Sequence, residues 1–128
     1  SPERQEELKA QTLAAEVGRE LANDKAYRDR QGDVGRLEKS IAMKLRSLRK
    51  AQEKPDPRRA PRRLEESLER DQTTLAELQQ KQGETEAEQR ERILADMDQE
   101  LNNWEFEKAQ EKQAGFFPGG VKPDEQAE

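Results

Sequence analysis

Three prolines, Pro55, Pro57 and Pro61, fall within seven residues of a chain otherwise patterned for long helices. A proline ring withholds the backbone N–H and collides with the carbonyl four residues back. No helix can therefore run through Lys54-Pro55-Asp56-Pro57-Arg58-Arg59-Ala60-Pro61. The chain must turn there, and the residues on either side decide what the turn makes. Before it, Val34, Leu37, Ile41, Leu45, Leu48 and Ala51 recur at steps of three and four, one stripe of a helix over 33–53 with Asp33 as its cap. After it, Leu64, Leu68, Leu75 and Leu78 mark a helix over 61–82, with Pro61 in the first turn, where its missing N–H is harmless.

Facing residues of an antiparallel hairpin have numbers that add to a near-constant total. Leu48 with Leu64, Leu37 with Leu75 and Val34 with Leu78 each give 112, and Leu45 with Leu68 gives 113. The two stripes therefore close into an antiparallel coiled coil. Ile41 alone meets a polar stretch, Asp71 and Gln72, so the hairpin has a soft centre that another surface is expected to cover.

Two further helices flank this pair. Ala10, Leu13, Ala14, Val17 and Leu21 make a stripe over about 3–28, opened by Pro2 and the carboxylates of Glu3, Glu6 and Glu7. The glycines of 29–35 form either a bend or part of a continuous helix. Gly83 is read as the end of the third helix, because Thr85-Glu86-Ala87-Glu88 has the form of a capping box opening a fourth over about 86–114. Ile93, Leu94, Met97, Leu101 and Trp104 form its stripe; Gly115 ends it, Phe116 folds back, and Pro118 blocks resumption. The expectation is an all-α chain: an elongated antiparallel coiled-coil hairpin with flanking helices, or a small helical bundle. Residues 1–118 are read as one helical domain and 119–128 as a tail or linker.

Composition limits what such a chain does. Leu, Ile, Val and Phe supply only 20 of its 128 residues, and 41% are charged against about 25% in an ordinary domain. A lone monomer would bury little, so a second copy or another protein is expected to complete the stripes. The sequence has no His and no Cys, which excludes disulfides, thiolate and imidazole chemistry and most zinc sites. The carboxylate groups Glu65, Glu66 and Glu69, and Asp96, Asp98 and Glu100, read as solvated helix faces, because di-iron bundle sites use Glu-x-x-His pairs. There is no phosphate-cradling glycine loop and no nucleophile elbow. The reading is non-enzymatic, with no cofactor, metal or small-molecule substrate. No stretch is apolar enough for a membrane span or a signal peptide, so a soluble, cytoplasmic or nuclear chain is expected. Ser1 in place of an initiator Met reads as a fragment or a processed chain.

Charge is unevenly placed: net −3 over 1–24, +9 over 25–63 and −11 over 64–128. Arg49, Lys50, Arg58, Arg59, Arg62 and Arg63 crowd the hairpin tip and are candidate contacts for an acidic protein surface or an anionic membrane. Nucleic acid is disfavoured, because no aromatic residue accompanies them. The alternative is neutralisation against the acidic fourth helix, or simple solvation. The remaining candidate contacts are apolar. Trp104 reads first as a core anchor and second as a partner contact. Phe116 and Phe117, the latter in Phe117-Pro118-Gly119-Gly120, are candidates at the helix end, and Ile41 is one at the soft centre.

Leu37-Glu38-Lys39-Ser40-Ile41-Ala42-Met43-Lys44-Leu45, with Leu64, Leu68, Leu75 and Leu78, resembles the HR1-type hairpin, the antiparallel coiled-coil finger of Rho-family GTPase effectors. The chain departs from that pattern at Lys50-Ala51-Gln52-Glu53, where the family often shows Gly-Ala-Glu, and in a turn rich in Pro and Arg. The resemblance covers about a third of the chain and implies a module that binds a small GTPase or acts as a membrane adaptor. A BAR-like fragment is a further likeness, for which the chain is short.

Overall fold

The structure, a computed structural model, describes residues 1–54, 58 and 61–114. Those residues form three α-helices: α1 (Pro2–Asn23), α2 (Lys25–Glu53) and α3 (Pro61–Gln113). They divide into two compact units, Ser1–Arg90 and the part that begins at Glu91. The chain is all-α, as the stripes require.

Within the first unit α1 starts at Pro2, where its sequence predicts, with an unforeseen cap from Ser1. The Ser1 hydroxyl accepts from the Arg4 amide at 3.2 Å, Pro2 occupies the first turn, and Glu3 sits at the positive end of the helix dipole. It stops at Asp24, short of the end expected near 28 and five residues before the glycine-rich stretch. Asp24 has an extended backbone (φ −86°, ψ 107°), donates its amide to the Leu21 carbonyl, and accepts from the Tyr27 amide on its carboxylate at 3.1 Å. One side chain thus closes α1 and caps α2, because a short carboxylate competes well for orphan amides. Gly32 and Gly35 lie inside α2, and Asp33, expected to cap, instead pairs with Arg36 within the helix.

Helices α2 and α3 run antiparallel. Tyr27 bonds to Glu86, Arg30 to Gln82 and Thr85, and Ser40 and Lys44 to Asp71. The numbers of these partners total between 111 and 115, around the register of 112 read from the leucines. On α2 the residues turned from solvent include Tyr27, Arg30, Val34, Leu37, Ile41, Lys44, Leu48 and Ala51; on α3 they include Leu64, Leu68, Asp71, Leu75, Leu78, Gln82, Thr85 and Gln89. Both sets step alternately by three and four, the 3.5-residue period of a coiled-coil seam. Leu45 breaks that rhythm. It is 49% exposed, and Lys44 takes the place opposite Leu68. From Ile41 either a step of three or one of four continues a stripe. The tie is settled by Asp71, whose carboxylate holds Lys44 inside the seam.

The interior is thin. Leu13, Val34 and Leu68 are the buried hydrophobic residues described in the first unit, and no described large side chain is completely enclosed. The corner at 55–57 and 59–60 lies outside the described residues; α2 ends before it, capped at Lys54, and α3 begins at Pro61. The expected break at Gly83 is absent. Its place is inside α3, and Thr85 does not cap: its hydroxyl donates to the Lys81 carbonyl at 2.9 Å while accepting from Arg30. Cross-helix bonds on both sides of Gly83 hold this stretch helical against the glycine's unfavourable backbone entropy.

The second unit contains the remainder of α3. Ile93 is buried and Leu94 and Met97 are half-buried. From Leu101 to Gln110 every residue is exposed. The helix end expected at Gly115, Phe116 and Pro118, and the tail over 119–128, lie outside the described residues.

Candidate functional site

Two kinds of surface remain among the described residues once the helices are in place, one basic and one apolar. Among the described residues no group of carboxylates is arranged to hold a metal ion, and no helix is long and apolar enough to cross a membrane.

The polar interior of the seam is the most ordered feature. The buried Gln82 carbonyl accepts from Arg30 Nε at 2.6 Å, and its amide donates to the Tyr27 carbonyl at 2.9 Å and to Gln31 Oε1 at 3.0 Å. Arg30 Nη2 also donates to Thr85 Oγ1 at 3.0 Å, and the Tyr27 hydroxyl donates to Glu86 Oε1 at 2.6 Å. The Glu86 bond, burial and the Glu86 charge raise the Tyr27 pKa, opposed by Arg30. Nearer the proline corner, Ser40 at 2.8 Å and Lys44 at 2.5 Å both donate to Asp71 Oδ2. The Lys44 bond first and the Ser40 bond second hold the Asp71 carboxyl below the ordinary carboxylate range. These groups are satisfied by each other, so the soft centre around Ile41 is a polar tie between α2 and α3. Ile41 is half-buried on the seam and is not part of an open surface. Polar side chains at seam positions favour one register, since any slip strands them without partners.

The basic end of the hairpin is exposed. Arg49 and Lys50 stand on the last turns of α2, and Arg62 and Arg63 on the first turn of α3; Arg58 is also exposed, while Arg59 lies outside the described residues. Lys50 suits the negative end of the α2 dipole. Arg62 and Arg63 do not suit the positive end of α3, whose first turn carries no acid. Arg62 leans on Glu66 at 3.4 Å, a solvent-exposed pair of little consequence for stability.

Apolar surface is uncovered elsewhere. Trp104 is 56% exposed, which corrects its reading as a core anchor, and Leu101 and Phe106 are exposed with it. A burial forecast from periodicity needs a second element to do the burying, and Leu101–Gln110 has none among the described residues. Lys108 Nζ stands 5.8 Å from the centre of the Trp104 ring and 3.6 Å from Glu111. Phe116 and Phe117 lie outside the described residues. The sequence reading missed two features: the exposed Met43 on the outward face of α2, and a shallow groove of about 530 Å³ in which Leu13, Val17 and Leu21 of α1 lie beside Gly83, Ala87 and Arg90 of α3. The α1 stripe was the available signal for the groove.

No family model, curated protein or solved structure matches this chain. The HR1 likeness therefore stays an expectation from leucine spacing.

Proposed function

We propose that this chain is a non-enzymatic helical interaction module, a scaffold or adaptor element that presents apolar and charged helix faces to a protein partner. The observation that carries the reading is the uncovered pair Leu101 and Trp104, on the part of α3 beyond a seam whose own polar groups bond to one another. Trp is among the residue types that most often dominate binding energy at protein interfaces, and the neighbouring Leu adds apolar area around it. The small-GTPase partner implied by the HR1 likeness, and the cytoplasmic or nuclear setting expected from the sequence, belong to this same reading. Trp104→Asp and Leu101→Asp, on a surface where they disturb no packing, test it by capture from cell extract and by assembly size. Loss of binding with helicity retained is the expected result, and unchanged association in both assays rejects the reading.

A second reading has its own observation. Arg62 and Arg63 face the unfavourable end of the α3 dipole, an arrangement that an anionic surface would relieve. Reversal of Arg49, Lys50, Arg62 and Arg63 to Glu should then abolish flotation with anionic vesicles, with steep salt dependence.

A further inference from the structure

Two helix faces, one on α2 and one on α3, carry opposite net charge. On α2, Lys39, Met43, Arg46 and Lys50 step by four, three and four along the side turned away from α3, with Arg49 beside them. The stretch 39–50 contains five basic residues and no acidic one. Lys44 is spent on Asp71 inside the seam; Lys39, Arg46, Arg49 and Lys50 form no ion pair among the described residues, and Met43 between them is 63% exposed. On α3, Leu94, Met97, Leu101 and Trp104 step by three, four and three. Glu100, four residues before Trp104, and Glu105, four after Leu101, are exposed and likewise have no ion pair among the described residues. The stretch 91–113 holds seven acidic and three basic residues.

We propose that the acid-flanked row Met97, Leu101 and Trp104 of α3 docks on the basic outward face of α2, around Met43, of a second copy of this chain. The inference rests on the interaction-module reading and names the partner. Two copies meeting through the α3 row alone would set acid against acid. The basic α2 face supplies the opposite sign at the same three-and-four spacing, with an exposed thioether to receive the aromatic ring. Flanking charges of this kind set partner choice and orientation in helix pairs, while the apolar row supplies the buried area.

The test uses the full chain. Sedimentation velocity across a concentration series, at about 0.01 M and about 1 M salt, compares Debye lengths of about 30 Å and 3 Å. Self-association at low salt, weakened roughly tenfold or more at high salt, is expected, with the emission of Trp104, the one tryptophan, shifting to the blue as it is covered. Two charge-reversed chains, one carrying Arg46→Glu, Arg49→Glu and Lys50→Glu and the other Glu100→Lys and Glu105→Lys, should each lose association while keeping wild-type helicity. Mixed in equal amounts they should associate with each other, because reversed acid then faces reversed base. A wild-type chain monomeric at every salt and concentration overturns the proposal, as does a mixture that stays monomeric, or vesicle binding by the α2 face without self-association. If the purified chain is monomeric yet captures another protein through Trp104, only the identity of the partner fails and the module reading stands. If Trp104→Asp changes neither assay, both fail.

Discussion

Arg30 Nε donates to the Gln82 side-chain carbonyl at 2.6 Å, joining residues 52 apart in sequence across the α2–α3 seam. Gln82, 5% exposed, spends its remaining hydrogen-bonding capacity on the Tyr27 carbonyl and Gln31. No buried side-chain polar atom among the described residues lacks a partner, so removing one member of this pair harms more than removing both.

Gln82→Ala should accordingly destabilise the hairpin by about 1–3 kcal/mol, the usual cost of stranding buried polar partners. The double change Arg30→Leu with Gln82→Leu should recover most of that loss while weakening the preference for one register. Urea unfolding followed by helical circular dichroism reports the first effect, and cross-linking between α2 and α3 reports the second.

Acid should loosen the Lys44–Asp71 tie. The folded-state pKa of Asp71 lies below its ordinary 3.8, so its contribution to stability is complete above the unfolded value and is lost as pH falls through the folded one. Asp71→Asn should melt below wild type at neutral pH, and the difference in melting temperature should close as pH drops below about 4. A constant difference across that range would show that the carboxylate charge is irrelevant.

Alkali acts on the other end of the seam. Tyr27 is the one tyrosine, and its hydroxyl, bonded to Glu86, titrates above the ordinary 10.0 in the folded chain. A raised folded pKa means that the stabilisation is complete below the unfolded value and disappears as pH rises through the folded one. Tyrosinate absorbance should therefore rise at a higher pH in the wild type than in Glu86→Gln. Tyr27→Phe should lose this alkaline component of the stability profile.

Seam positions and their neighbours should respond very differently. Leu68→Ala removes a buried side chain and should cost about 2–5 kcal/mol. Leu45→Lys, half exposed beside the seam, should stay within about 0.5 kcal/mol of wild type. Comparable losses at the two sites would show Leu45 inside the seam after all.

Glycines within the helices offer stability. A Cβ added at Gly35 or Gly83 would meet nothing within 4 Å. Gly35→Ala and Gly83→Ala should each stabilise by about 0.5–1 kcal/mol, through the backbone freedom that alanine lacks in the unfolded chain. Thermal melts suffice to read this.

The amino-acid order settled the helical class, the antiparallel return after the prolines and the register near 112, because a three-and-four stripe is a property of local spacing and survives any packing. Whether a stripe finds a cover is not a local property. Lys44 displaces Leu45 because Asp71 stands opposite it; Gly83 stays helical because bonds from α2 reach both sides of it; and the first break falls at Asp24, whose carboxylate reaches the Tyr27 amide. Trp104 stands in solvent because no described residue beyond Met97 covers that part of α3. Spacing fixes which way a side chain points along its own helix, whereas burial and charge pairing are relations between helices, and those only the assembled hairpin could decide.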